Sequence, residues 1–78
     1  PEVDLRGMDS VEAICVMDRY LDEAMRSNLK QVRIIHGKGT GVLRKAVHES
    51  LKRNKYVKKY RLGVYGEGED GVTIAEFE

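Results

Sequence analysis

Ile34-Ile35-His36-Gly37-Lys38-Gly39-Thr40-Gly41-Val42-Leu43-Arg44 is the stretch that decides how this chain is read. An apolar run enters a glycine-rich turn and leaves it as an amphipathic segment, which is the pattern of a strand, a tight loop and a helix. Glycines let a backbone approach a ligand closely, and the first N–H groups of a helix have no partner of their own. The layout therefore predicts an anion site, with phosphate as its natural guest. The loop is not a P-loop, because Gly39 rather than Ser or Thr follows Lys38. Gly37, Gly39 and Gly41 have the wrong spacing for a dinucleotide fingerprint. Ser10, Ser27 and Ser50 are the only serines and none lies in Gly-x-Ser-x-Gly, so acyl transfer is excluded. What remains beside the anion site is a β-to-α turn whose only task is to turn.

Outward from that loop, the chain reads as β-α-β-α-β-β. Val3 and Leu5 alternate with Asp4 and Arg6, a short strand whose polar face carries both charged residues. Asp9 with Glu12 forms an acidic capping box that opens a helix from about Ser10 to Ser27. Val11, Ile14, Cys15, Leu21 and Met25 form its inner side, with Ala13, Met17 and Ala24 widening the stripe. Val32 to Ile35 make a central strand buried on both faces. Thr40 is the expected N-cap of the second helix, which turns Leu43, Ala46, Val47 and Leu51 inward and ends near Asn54. Its outer face carries Arg44, Lys45, His48, Lys52 and Arg53, with His48 read as a surface residue. Tyr56 to Val64 form a third strand. Gly66 to Gly71 form a second glycine-rich loop, and Val72 to Phe77 the last strand. The fold class is α/β: a two-layer sandwich with a small mixed four-stranded sheet and both helices on one face. If the first three strands are parallel, Asp4 and Arg6, the loop from His36 to Gly41 and the second glycine loop converge at the carboxyl edge of the sheet, where ligands bind in open α/β sheets.

Seventy-eight residues make one domain with a thin core. Pro1 stands first and no signal-like or membrane-spanning run follows, so a domain cut from a longer, cytoplasmic protein is expected, with no membrane partner. Cys15 is the single cysteine, expected as a small buried hydrophobe in a reducing compartment. The formal net charge of +1 conceals a segregation. Residues 30 to 61 hold eleven Lys and Arg, among them Lys52, Arg53 and Lys59, against the single acid Glu49, a local charge of +10 that leaves −9 for the rest. Such one-sidedness around a phosphate-type loop is an electrostatic footprint for a polyanion, nucleic acid above all.

Val3-Asp4-Leu5-Arg6-Gly7 resembles the Leu-Asp-x-His-Gly motif of the Smr (small MutS-related) domain. His36-Gly37-Lys38-Gly39-Thr40-Gly41 resembles that family's His-Gly-x-Gly-x-Gly motif, and Gly66 to Val72 its glycine-rich hairpin. The three stand in the family's order over nearly the whole chain, in the manner of the Smr domain at the carboxyl end of the second MutS family. The resemblance implies an endonuclease domain that nicks DNA, structure-directed and with little sequence specificity, in recombination or repair. It also implies a parent protein with an ATPase region that dimerises. Asp4, Arg6 and His36 are then the catalytic candidates. Lys38, Gly37, Gly39, Thr40, Gly41, Arg44, Lys45, Lys52, Arg53 and Lys59 are the nucleic-acid-binding ones. Arg6 departs from the histidine of many Smr domains. It can stabilise charge but cannot serve as a general base.

Phosphodiester cleavage needs an aligned nucleophile, charge neutralisation and a proton for the leaving oxygen. The amides of Gly37 to Gly41, Lys38 and Arg6 suit the second need. Asp4 can orient a water or hold a divalent ion, Mg²⁺ or Mn²⁺, helped by Glu67, Glu69 or Asp70. No certain metal site is expected, and the His and Cys content excludes structural zinc. His36, with an ordinary pKa of about 6.5, either moves a proton or only hydrogen-bonds the loop. Two function classes follow: a nuclease for DNA, branched DNA included, or for RNA; and a non-catalytic module that docks DNA, RNA or the ribosome. Sequence readout is expected from neither, since Tyr56, Tyr60 and Tyr65 are the only candidates for stacking on bases.

Overall fold

The computed structural model describes residues Pro1–Glu78, and its elements follow the expected order: β1 (Glu2–Asp4), α1 (Ser10–Arg26), β2 (Gln31–Ile35), α2 (Val42–Arg53), β3 (Val57–Leu62), a short 3₁₀ turn (Glu69–Gly71) and β4 (Val72–Phe77). Helix α1 starts where Asp9 accepts the Glu12 N–H at 2.9 Å. It stops at Asn28, whose left-handed backbone (φ 61°) lets the amides of Asn28 and Leu29 close on the carbonyls of Met25 and Ala24. The buried stripe of α1 is Ala13, Met17, Leu21 and Ala24. Cys15 lies two residues from both Ala13 and Met17, roughly 200° around the helix, and is exposed rather than buried. Val11 is likewise outside, 76% exposed.

The four strands lie in the order β1-β2-β4-β3. β1 pairs with β2 in parallel, Val3 opposite Ile34, while β4 runs antiparallel to both β2 and β3. Strands β1, β2 and β3 therefore share one direction, and the loops after them emerge at one edge. The last strand fills the gap between β2 and β3 instead of extending the sheet. Val32, Ile34 and Ala75 from the sheet, Leu5, and Met17, Leu21, Val47 and Leu51 from the helices form one core, so both helices cover the same face. Truncating one of these, Leu51→Ala for instance, removes buried methylenes at a cost of about 2–5 kcal/mol.

The other face is covered by ion pairs. Arg33 meets Glu2 at 3.1 Å, Arg61 meets Glu67 at 2.7 Å, and Lys59 meets Glu76 at 3.7 Å. This corrects the expectation of a strand β2 buried on both sides: Val32 and Ile34 are buried, but Arg33 and Ile35 on the opposite face are only half-buried. Strand β3 ends at Leu62, two residues short of Val64. No helix is long and apolar enough to cross a membrane.

Candidate functional site

Strand β2 delivers His36 to the shared edge, where the N–H groups of His36 and Gly37 both donate to the Gly71 carbonyl, at 3.1 and 2.9 Å. The two glycine-rich loops are stitched together there. Beyond this point the backbone is open: the N–H groups of Lys38, Gly39, Thr40 and Gly41, and those of Leu43 and Arg44 in the first turn of α2, meet no acceptor in the chain. Gly41, not Thr40, is the N-cap. Its backbone is left-handed (φ 87°), and no side chain caps the helix. Thr40 sits one residue earlier, where its Oγ1 reaches only the Val42 N–H at 3.4 Å. These groups line a cleft of about 660 Å³ that Arg6 and Arg44 flank.

Asp4 and Arg6 share a face of β1 and its continuation, as the alternation requires. Asp4 accepts from the Arg6 backbone N–H and from Nε, both at 3.0 Å, and from Nη2 at 2.7 Å. Those bonds hold the Asp4 carboxyl down to about 2, far below an ordinary aspartate. Such a carboxylate is a weak base, and its evident work is to orient the guanidinium. Arg6 keeps Nη1 unpartnered. Its Cγ passes so close to Gly37 that a Cβ there would stand 3.3 Å away, and Gly37 is left-handed as well (φ 83°), so this position accepts glycine alone without strain.

His36 is buried, 4% exposed. Its Nδ1 lies 3.0 Å from the Gly37 carbonyl, and its Nε2 lies 2.8 Å from Thr73 Oγ1. The same hydroxyl lies 2.7 Å from Nε2 of His48. A carbonyl only accepts, so Nδ1–H of His36 donates to it. In a neutral ring Nε2 is then an acceptor for the Thr73 O–H, which leaves the Thr73 oxygen to accept from Nε2–H of His48. One hydroxyl thus orders both imidazoles. Burial pushes both histidines below their usual pKa, with the neighbouring ring and Arg44 adding to the effect at His48. His48 is therefore not the surface residue expected from its place on the basic helix. It is half-buried against His36 and against Tyr60, whose ring centroid is 5.1 Å away. The sequence held a signal for this, a lone hydroxyl in the otherwise apolar run Val72-Thr73-Ile74-Ala75.

The cations divide. Lys38 is bound to Glu69 at 3.2 Å and Asp70 at 3.6 Å, Lys59 to Glu76, and Arg61 to Glu67. Arg44, Lys45, Lys52 and Arg53 form no ion pair. Lys59 aligns with Glu76, one register step from the core residue Ala75, and so faces away from α2 and its cations. The +10 of residues 30 to 61 is partly cancelled in space by acids from the remainder of the chain. The same pairs bear on metal binding: Asp4, Glu67, Glu69 and Asp70 are each committed to a cation. No group of three His, Cys, Asp or Glu side chains is arranged to hold an ion. The residues present do not fit a divalent metal cage. Of the three tyrosines offered for stacking, Tyr60 is packed on His48 and Tyr56 lies under Lys55 Nζ at 5.3 Å, which leaves Tyr65 standing free at 84% exposure.

This geometry has close counterparts. Residues 3–78 match the family model described as Smr domain. The chain is 60% identical over 77 residues to an Endonuclease MutS2 of Clostridium tetani, and 62% identical over 76 residues to that of Clostridium novyi. Those alignments take in 99% and 97% of this chain but 10% of each relative, so the chain spans about a tenth of the length of these proteins. The crystal structure of the Smr domain of Thermus thermophilus MutS2 superposes with a TM-score of 0.96 at 44% identity, covering 99% of this chain and 96% of that one. YdaL, a stand-alone small MutS-related protein from Escherichia coli, shares the fold with a TM-score of 0.93 at 22% identity, over 99% of this chain and 63% of its own. With its three motifs meeting at one sheet edge and a family match across 76 of its residues, the chain belongs to the Smr domain family.

Proposed function

We propose that this domain grips a nucleic-acid backbone in the cleft between Arg6 and the start of α2 and nicks DNA there with little regard to sequence. One observation carries the reading: six backbone amides without acceptors, the free Nη1 of Arg6 and the unpaired Arg44 converge on one cleft. Amides aimed at the non-bridging oxygens of a phosphodiester bind it in the ground state. They also stabilise the extra charge of in-line attack, and Arg6, fixed by Asp4, adds its own. Lys45, Lys52 and Arg53 on α2 continue the track along the backbone. The relatives' name, Endonuclease MutS2, supports cutting as the outcome. The setting is then DNA repair or recombination within a longer cytoplasmic protein.

A second reading, docking on DNA or RNA without cleavage, is favoured by the proton inventory. Asp4 is held as a carboxylate, and both ring nitrogens of His36 are bonded within the protein, so direct proton transfer by His36 requires one of those bonds to break. RNA dispenses with a positioned water, since its 2′-hydroxyl supplies the nucleophile, although that hydroxyl must still lose its proton and the leaving oxygen gain one. Incubating the domain with supercoiled plasmid and with labelled RNA, in Mg²⁺, in Mn²⁺ and in chelator, separates the readings. Nicked plasmid supports the first. Retained binding with both substrates intact supports the second.

A further inference from the structure

We infer that His36 is a positioning residue of the phosphate cleft: by holding the Gly37 carbonyl it keeps the Lys38 N–H, on the same peptide, turned toward the bound anion. This rests on the nucleic-acid reading above. Every peptide bond of the chain is trans, and in a trans peptide the carbonyl and the N–H point in opposite directions. The Gly37 carbonyl is turned inward, to Nδ1 of the buried His36 at 3.0 Å, and no other group of the chain donates to it. The Lys38 N–H is therefore turned outward, and it meets no acceptor. Both Gly37 and Lys38 line the cleft. Gly37 is held on its other side too, where its N–H donates to the Gly71 carbonyl at 2.9 Å.

Backbone sterics alone hold that peptide weakly, because glycines stand on both sides of Lys38. A peptide that tilts there withdraws its N–H from the cleft and brings its carbonyl oxygen toward the anion, so a favourable contact becomes a repulsive one. The His36 bond opposes the tilt, but only while the proton of the neutral ring sits on Nδ1. The Thr73 hydroxyl secures this by donating to Nε2 at 2.8 Å, and Nε2–H of His48, donating to the Thr73 oxygen at 2.7 Å, turns the hydroxyl proton toward His36. Donors thus run in one direction, from His48 through Thr73 and His36 to Gly37. None of the three side chains has to touch the phosphate or give up a proton. This gives a use, at the foot of an anion cleft, to a histidine whose two nitrogens are both occupied.

The test uses two amides of different reach. The side-chain NH₂ of Asn falls near the place of Nδ1 and that of Gln near the place of Nε2, so His36→Asn keeps a donor for the Gly37 carbonyl and His36→Gln does not. The isotope-labelled 78-residue chain is titrated with a short DNA duplex at low salt and followed by NMR, with circular dichroism to check the fold. In the parent the Lys38 amide resonance should shift on binding, and the ring-nitrogen spectra at about pH 8 should show His36 as the Nδ1–H tautomer and His48 as the Nε2–H tautomer. His36→Gln should bind roughly tenfold more weakly than the parent and lose the Lys38 response; His36→Asn should recover most of both. A parent His36 protonated on Nε2 instead, or a Lys38 amide that stays unmoved while the parent binds, overturns the positioning role even where a variant fails to fold. So does an equal effect of Asn and Gln in folded proteins, and each of these results leaves the backbone reading intact. No binding by the parent removes both.

Discussion

The two glycine-rich loops at the carboxyl edge of the sheet are alike in composition and opposite in how their polar groups are used. In the loop from Lys38 to Gly41 the backbone donors face outward without acceptors. In the loop from Gly63 to Gly71 each carboxylate has a cationic partner: Glu67 caps Val64 and binds Arg61, while Glu69 and Asp70 share the single charge of Lys38. An open set of donors beside cations makes a binding site, and a loop closed by its carboxylates makes a wall that supports it, although there too the N–H groups of Tyr65, Gly66, Gly68, Glu69 and Asp70 meet no acceptor. Glycine content alone does not tell one from the other. The deciding quantity is the charge set around the free donors, Arg6 and Arg44 for the first loop and Glu67, Glu69 and Asp70 for the second.

The strongest way to break this division is at the joint between the loops. Thr73→Val keeps the shape of β4 but strips the buried His36 and the half-buried His48 of their shared partner, and should destabilise the domain by about 2–4 kcal/mol, seen as a midpoint shift in thermal or urea unfolding. An unchanged midpoint would show that the two imidazoles are satisfied elsewhere. Acid acts on the same joint. Both histidines titrate below their usual pKa in the folded chain, so the unfolded chain takes up protons first as pH falls. Stability should be constant above about pH 7, decline below about 6.5, and stop declining once the folded histidines have also been protonated. Replacing both with Gln should flatten that decline, measured as urea midpoint against pH.

Gly37→Ala tests the open loop. A left-handed backbone should cost an L-residue about 1–2 kcal/mol, and the new methyl displaces Arg6, so a fall in stability should come with weakened binding. Arg6→Ala should weaken binding roughly tenfold and slow any cutting, with the fold kept. Lys38→Ala should have a smaller effect with an instructive cause: it leaves Glu69 and Asp70 uncompensated beside the cleft. Adding Glu69→Gln and Asp70→Asn to Lys38→Ala should then recover most of the affinity in a filter-binding assay. Glu67→Gln, in the closed loop, should leave backbone binding unaltered, because that pair serves the wall alone.

The element order, the Asp9 cap and the meeting of three distant motifs at one edge were legible in the sequence because each depends on local periodicity or on the direction of the strands. What was hidden depends on pairings between distant residues. His48 and Thr73 are 25 residues apart and His36 and Thr73 are 37 apart, so nothing local distinguishes His48 from its exposed neighbours on α2. The charge of residues 30 to 61 was correctly counted, yet its partial cancellation needs the β3 to β4 register and the contact between the loops. The Thr40 cap and the buried Cys15 failed for geometric reasons. The loop enters α2 through a left-handed glycine, and a stripe centred on Ala13 and Met17 turns Cys15 outward.

The central position of β4 also bears on how the chain reaches its native state. β3 has no neighbour in the sheet except β4, and β2 has β4 along one entire side. Until residue 77 is available, the chain can assemble little more than β1, α1 and β2, with α2 loosely attached and Val57–Leu62 unattached. Closing the sheet joins β4 to β3 through a local hairpin but to β2 across roughly 40 residues, and that second pairing carries the larger loop-closure cost. The glycine loop gains its anchor on Gly71 in that same step. The anion site and the finished sheet thus share one anchor, the Gly71 carbonyl at the foot of β4.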